Sequence, residues 1–405
     1  YSKENGALLP LFLFIIELTI FRFSCADTRQ RKGLYLFHTF FVLLPTILAL
    51  IYILQYADMF QAGYGNRHFN MMERLLTEAR VIWLYIRMIL LPIPSAFGLF
   101  HDDIAVSISL TEPVSTSPAL IGLIGLFTVA VISINRAPIL AFGLLFFFAG
   151  HLMESTFIPL ELAFEHRNYL PSIGILMPLF FYLRYGGEES KYAGLRTGLM
   201  VIIILMFALQ THLRARTWSN NVQLYLTNVQ FHPDSPRANY EAGKIFGQRL
   251  ERGQGNPQIN YQEAIKYFEH STALRHNTTS GLFGSILASI DSGNKIKPVW
   301  IDELDHRLTN QPLEQVNLLW LDKLSDCVSK GKCHKEDIQI PRLLKAALGY
   351  RNINNKNKSM LYAIMAKYIY QVEGDINDTI IMARKAVSIM PSNLNHHHNL
   401  VKYLI

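Results

Sequence analysis

The sequence predicts an all-α protein in two parts, a polytopic transmembrane helical module over residues 1–213 and a soluble domain of stacked helical pairs over 214–405. Three observations lead there. The 405 residues are 50% hydrophobic and only 17% charged, against roughly 25% charged in ordinary soluble domains. Nearly all of the apolar excess precedes residue 213. From about residue 235 onward, apolar residues recur at helical spacing between polar turns, with few strand signals.

Crossing about 30 Å of hydrocarbon takes roughly 17 to 25 residues. Apolar runs of that order cover 6–23, 35–57, 117–134, 138–160, 169–185 and 197–213. A seventh, Val81–Pro94, is shorter, carries Arg87 in its middle and ends on Pro92 and Pro94. An Arg at the bilayer centre costs about 2.5 to 3.5 kcal/mol on insertion scales, so this stretch reads as re-entrant or interfacial.

The basic residues then give an orientation. Arg22, Arg29, Arg31 and Lys32 lie between the first two spans, Arg136 sits in a very short turn, and Arg184, Lys191 and Arg196 flank another loop. With 58–116 as one outside segment, all three loops fall on one side, which the positive-inside rule makes cytoplasmic. The expected location is therefore the inner (cytoplasmic) membrane, multi-pass, with the 161–168 loop and everything after 213 in a periplasm or lumen. The formal charge of +7, from 38 Lys plus Arg against 31 Asp plus Glu, becomes a topology signal. Nucleic acid is excluded as its cause, because the basic residues sit in short loops and not on one domain face.

Cysteine usage agrees with that compartment. Cys327 and Cys333 bracket a short polar segment, and a bridge there is worth about 2 kcal/mol in the chain-entropy model, given oxidising surroundings. The alternative is two unrelated thiols; without His partners the spacing is not a zinc pattern. Cys25 is left alone on the cytoplasmic side.

In the second half, Ser235–Gly243 opens one helix with Pro236 early, where its missing N–H costs nothing. Its partner, Tyr261–Ser271, carries the small Ala264 and the aromatic Phe268 four residues apart, one to admit a neighbouring helix and one to fill the gap. The same grammar returns in Gly374, Asp375, Ala383, Ala386 and Pro391. The pattern resembles the tetratricopeptide repeat, with a polar insertion at 252–257 and a degenerate middle at 279–350. Such a stack presents a concave groove, a surface for an acceptor or partner protein.

Four stretches of the membrane half and its exit belong together: Ser2-Lys3-Glu4-Asn5-Gly6, Arg74-Leu75-Leu76-Thr77, the block Arg167-Asn168-Tyr169-Leu170-Pro171-Ser172-Ile173-Gly174, and the run Arg216, Trp218, Leu224, Pro233, Ala238, Tyr240, Gly243. In this order they resemble the transmembrane and tetratricopeptide-repeat O-mannosyltransferases, membrane glycosyltransferases of GT-C architecture, and more closely their bacterial relatives. The Tyr-Leu-Pro-Ser-Ile-Gly block is the most specific part. The resemblance implies a GT-C-like membrane module and an enzyme that moves a sugar from a polyprenyl-phosphate carrier to a protein hydroxyl outside the cytoplasm. Its acidic catalytic residue belongs to a first outside loop upstream of the Ser-Lys-Glu stretch. The chain starts at that stretch, so this residue is expected before Tyr1 and has no position here.

The residues themselves support related chemistry. A lipid-phosphate donor needs cations for its phosphate and a carboxylate for the acceptor hydroxyl. Lys3 and Arg167 suit the first role, with Arg74 or Arg80 beside them. Glu154 or Glu165 suits the second or orients the cations, and Glu4, His166 and Tyr169 complete a substrate-binding set. Charged residues at span ends also snorkel to headgroups without any chemistry, and Tyr169 also reads as an aromatic-belt residue. Glu154 differs, because an ionisable group near membrane depth needs a partner.

No metal site is expected. His101-Asp102-Asp103 reads as a solvated loop, since three consecutive residues do not converge easily on one ion, and His396-His397-His398 reads as polar surface. Beyond the polyprenyl-phosphate sugar donor no cofactor is implied, and the need for a divalent metal is left open. Two alternatives remain: a non-catalytic membrane-anchored scaffold for an envelope complex, and a ligase or polymerase acting on lipid-diphosphate sugars.

Overall fold

The computed structural model describes residues 4–25, 27–185, 192–274, 278–313 and 315–405; these are helical with connecting loops and contain no strand. The chain divides into two compact units, Tyr1–His232 and Pro233–Ile405.

The first unit contains six apolar helices among its described residues: α1 (Gly6–Phe21), α2 (Thr28–Gln55), α4 (Thr116–Arg136), α5 (Pro138–His151), α6 (Ser172–Tyr185) and α7 (Ala193–Trp218). Between them lies α3 (Met71–Leu90), and α8 (Asn221–Phe231) closes the unit. Three of the six, α2, α4 and α7, are long and apolar enough to cross a membrane. Their outer faces are apolar, with Leu36, Leu54, Ile121, Leu195 and Ile202 exposed, surfaces that water would penalise.

The other three apolar helices are shorter than the runs that announce them. The clearest difference is α5, which ends at His151 while its apolar run continues to 160. The reason is local: the following segment peels away to wrap a buried guanidinium on α3. At α6, Pro171 sets the start at Ser172. The stretch expected to be re-entrant or interfacial belongs to a continuous helix that starts ten residues before Val81. Asn70 and Glu73 form a reciprocal capping box there, each side chain accepting from the other's backbone N–H. The helix stops at Leu90 because residues before Pro92 disfavour helical backbone. Its buried face carries Val81, Ile82, Tyr85, Ile86, Met88 and Ile89, and Arg87 lies on the exposed face.

Helix α5 is central, with Phe142, Leu144, Phe146 and Phe147 buried. Phe142 and Phe146 pack against Leu8, Phe12 and Ile15 of α1. On another side α5 and α6 meet backbone to backbone: a methyl on Gly143 would collide with the Gly174 carbonyl, and one on Gly174 with the Gly143 carbonyl. Pro171 lies equally tight against Gly150. The Pro-Ser-Ile-Gly part of the signature block is thus a close-packing device.

The two compact units divide at 232/233, beyond the 213/214 limit of the apolar half. The apolar run ends near Leu213, but α7 continues to Trp218, and α8, capped by Asn220, packs back on it.

The second unit consists of helical layers: α9 (Pro236–Glu251), α10 (Pro257–Leu274), α11 (Ser280–Ser292), α12 (Pro298–Asn310), α13 (Gln315–Ser329), α14 (Ile340–Gly349), α15 (Asn355–Tyr368), α16 (Ile376–Ile389) and α17 (Leu394–Leu404). One apolar core runs from Leu250 to Ile369. The small-then-large pair of α10 works as its spacing suggests: Ala264 is fully buried, and the Phe268 ring lies against Gly243 of α9 and Gly284 of α11. Cys327 and Cys333 are joined in a disulfide, Cα atoms 5.5 Å apart, around a turn in which Gly331 takes a positive φ of 66°. The three-histidine run is not uniformly surface. His396 is buried with its Nε2 2.8 Å from Ser359 Oγ, because one side of α17 must pack, while His397 and His398 are exposed.

Candidate functional site

The polar side chains of the first unit gather into two adjoining clusters built on α3, on the 152–171 segment, on the loop after α3, and on α7 and α8. Arg74 anchors the first cluster. It has no accessible surface, and its guanidinium donates to the carbonyls of Thr156 (2.7 Å), Glu154 (2.7 Å), Leu160 and Glu161 (3.3 Å). It also pairs with Glu78 of the next helical turn at 2.7 Å. A cation so fully engaged holds a loop; it is not placed to take a phosphate. Thr77 does the same for the neighbouring loop, donating to the Glu73 carbonyl and accepting from the Ser107 N–H. The Arg-Leu-Leu-Thr motif therefore staples two loops to one helix. Arg80, the alternate cation, donates to the Ala105 carbonyl of that second loop.

Arg167 closes the first cluster. Its Nε is 2.9 Å from Glu154 Oε2, its Nη1 donates to the carbonyls of Glu161 and Leu162, and its charge lies over the Phe164 ring. Arg167 is thus an ion-pair partner of Glu154. Two other residues of the expected set point away: His166 is exposed, stacked on Phe164, and Tyr169 is 86% exposed. Lys3 and the Glu4 side chain lie outside the described residues.

Glu165 belongs to the second cluster. One oxygen accepts from the Gly98 N–H at 2.6 Å, and the other meets Arg214 of α7 at 2.6 Å. His101 Nε2 stands 3.5 Å from the first oxygen. Burial alone would raise the Glu165 carboxyl, but the His101 ring, the Arg214 charge and the Gly98 N–H hold it below the usual carboxylate range. Beside it, His232 at the end of α8 places Nδ1 2.8 Å from Asp103 Oδ2 and Nε2 3.3 Å from the Phe97 carbonyl. Burial works against charge on both partners. Their mutual contact outweighs it, raising His232 and lowering Asp103.

The 101–103 triplet is therefore not a solvated loop. His101 is 5% exposed and Asp103 is half-buried, and one donor atom from each of His101, Asp103 and His232 lies within 4.8 Å of the others. Three consecutive residues do not converge here either. Asp102 is not part of the group, and the third member arrives from 129 residues beyond Asp103.

Next to this cluster, α7, α8 and residues 94–99 enclose a cleft of about 80 Å³. Its walls are mostly apolar, with Phe97, Leu213, Trp218, Leu224 and Phe231, and Arg214 is its one Arg or Lys side chain. The Arg214 guanidinium lies 4.4 Å from the Phe97 ring centroid, and Asn228 accepts from the Leu99 N–H at 2.7 Å to fix the loop.

The sequence reading missed Arg214, His232, Asn228 and Glu78, and set Asp103 aside with its neighbours as solvated loop. Arg214 and Glu78 had a usable signal, each being a charge at the edge of an apolar helical run. The other three are placed by long-range packing. No family model matches the chain, and no characterised protein matches it.

Proposed function

We propose that the chain is a membrane glycosyltransferase of GT-C type, moving a sugar from a polyprenyl-phosphate carrier to a protein hydroxyl at the outer face of the inner membrane. The observation that carries the reading is the cleft at the end of α7, where Arg214 stands among apolar walls and faces Glu165. A polyprenyl phosphate has the same two-part chemistry, an apolar chain ending in an anion. Arg214 is 31% exposed in its side chain, whereas Arg74 and Arg167 are buried on their own loops, so Arg214 takes the donor-phosphate role first assigned to them.

In the reaction the bond from the sugar's anomeric carbon to the phosphate oxygen breaks and a bond to the acceptor oxygen forms. The hydroxyl proton leaves to a base, and negative charge collects on the departing phosphate. A cation held beside it stabilises that charge. Glu165, held ionised at low pKa, is a poor proton acceptor. It orients Arg214 and His101. The repeat-like second unit, tetratricopeptide-like in its small-then-large pairs, binds the acceptor or a partner protein on the periplasmic side.

Membranes carrying the chain are supplied with labelled polyprenyl-phosphate sugar and an envelope protein extract. Arg214→Gln is expected to lower transfer at least ~100-fold, with Arg214→Lys recovering part of it. Unchanged transfer by Arg214→Gln refutes the assignment. The scaffold reading replaces this one if the wild-type chain transfers nothing from any monophosphate carrier while its loss disperses an envelope complex.

A further inference from the structure

We propose that His101, Asp103 and His232 bind a divalent transition-metal ion of the zinc class, an inference that stands apart from the sugar-transfer reading. One donor atom from each lies within 4.8 Å of the other two. Tetrahedral zinc holds its ligand atoms about 3.3 Å apart, so the set has to draw in by no more than about 1.5 Å around an ion. Both histidines are buried, with ring centroids 5.2 Å apart and edge to face.

Two features of the hydrogen bonding point to an ion. His101 Nε2 is buried and makes no hydrogen bond of good geometry, only a long 3.5 Å contact with Glu165, a costly state for a polar atom. At His232 the Phe97 carbonyl can only accept, so Nε2 carries a proton and Nδ1 is turned to Asp103. In the metal-free chain a proton bridges Nδ1 and the carboxylate; a cation takes its place with both groups already aimed. The Phe97 carbonyl then serves as the outer partner that metal-bound histidines use to fix their tautomer. Two imidazoles and a carboxylate suit zinc better than magnesium or calcium, and Glu165 stands ready as a further ligand or as a partner for His101.

The full chain, purified in detergent and stripped with chelator, is titrated with Zn²⁺ and separately with Co²⁺, whose visible absorption reports its ligands. The expected result is one equivalent bound and a zinc-dependent rise in Tm. Affinity should fall at least ~10-fold in His101→Gln and in Asp103→Asn. His101→Gln is the decisive variant: the amide fills similar space and can still face Glu165, so its circular dichroism and its Tm in chelator should match wild type. Absence of stoichiometric zinc binding by the wild-type chain, or wild-type affinity in both variants, overturns the proposal. So does loss of binding in His397→Gln/His398→Gln, which would move the site to the exposed histidines of α17. Neither readout involves a sugar donor, so failure here and failure of the transferase reading are distinguishable.

Discussion

At position 74 a guanidinium without accessible surface meets four backbone carbonyls and the Glu78 carboxylate. Replacing it with an apolar side chain leaves those acceptors buried and unpaired, a loss of about 3 to 5 kcal/mol by analogy with broken buried pairs. Arg74→Met should accordingly lower the Tm of the detergent-solubilised chain steeply and open the 154–161 segment to protease. Tyr169→Ala, at an 86% exposed position of the same signature region, should shift stability by no more than about 0.5 kcal/mol. Equal stability of the two variants would contradict the anchor role. The contrast separates two kinds of motif residue: those that hold the loops and those that face outward, where a ligand can reach them.

Helix contacts decide at the next scale which small residues matter. Gly143 of α5 and Gly174 of α6 touch through their backbones, so Gly143→Ala forces the helices apart at about 1 to 3 kcal/mol. Gly125 of α4 has open space around it, and Gly125→Ala should be neutral or gain up to about 1 kcal/mol from helix propensity. Thermal unfolding of the two variants side by side checks the difference. In the second unit the Cys327–Cys333 bridge closes the turn after α13. Cys333→Ser should cost about 2 kcal/mol, seen as a lower Tm for the oxidised wild type's variant and no change between the two under reductant.

Across the whole molecule, the transferase reading requires the Glu165–Arg214 cluster and the second unit to lie on the side opposite Cys25. The native cysteines allow a direct check, because Cys327 and Cys333 are bonded to each other and Cys25 is free. In intact cells a membrane-impermeant maleimide should label Tyr169→Cys and spare the wild-type chain, whose Cys25 reacts only after permeabilisation. Labelling of Cys25 from outside reverses the orientation and removes the lipid-linked donor from reach.

What the sequence determined by itself is what short-range periodicity encodes: an all-helical chain, an apolar first half read as six spans of which three form helices long enough to cross a membrane, a second half of amphipathic helices, and a disulfide spaced for a tight turn. The start of α3 is also encoded locally, since Asn70 and Glu73 have the spacing of a capping box. Tertiary structure alone decided the rest. It made Arg74 and Arg167 loop anchors, turned Tyr169 outward, and joined Asp103 to a histidine 129 residues away. The reason is that a helix's own pattern fixes which face is buried, not which distant polar group arrives there. That partner is settled only when loops close over α3 and every buried donor and acceptor must be satisfied at once.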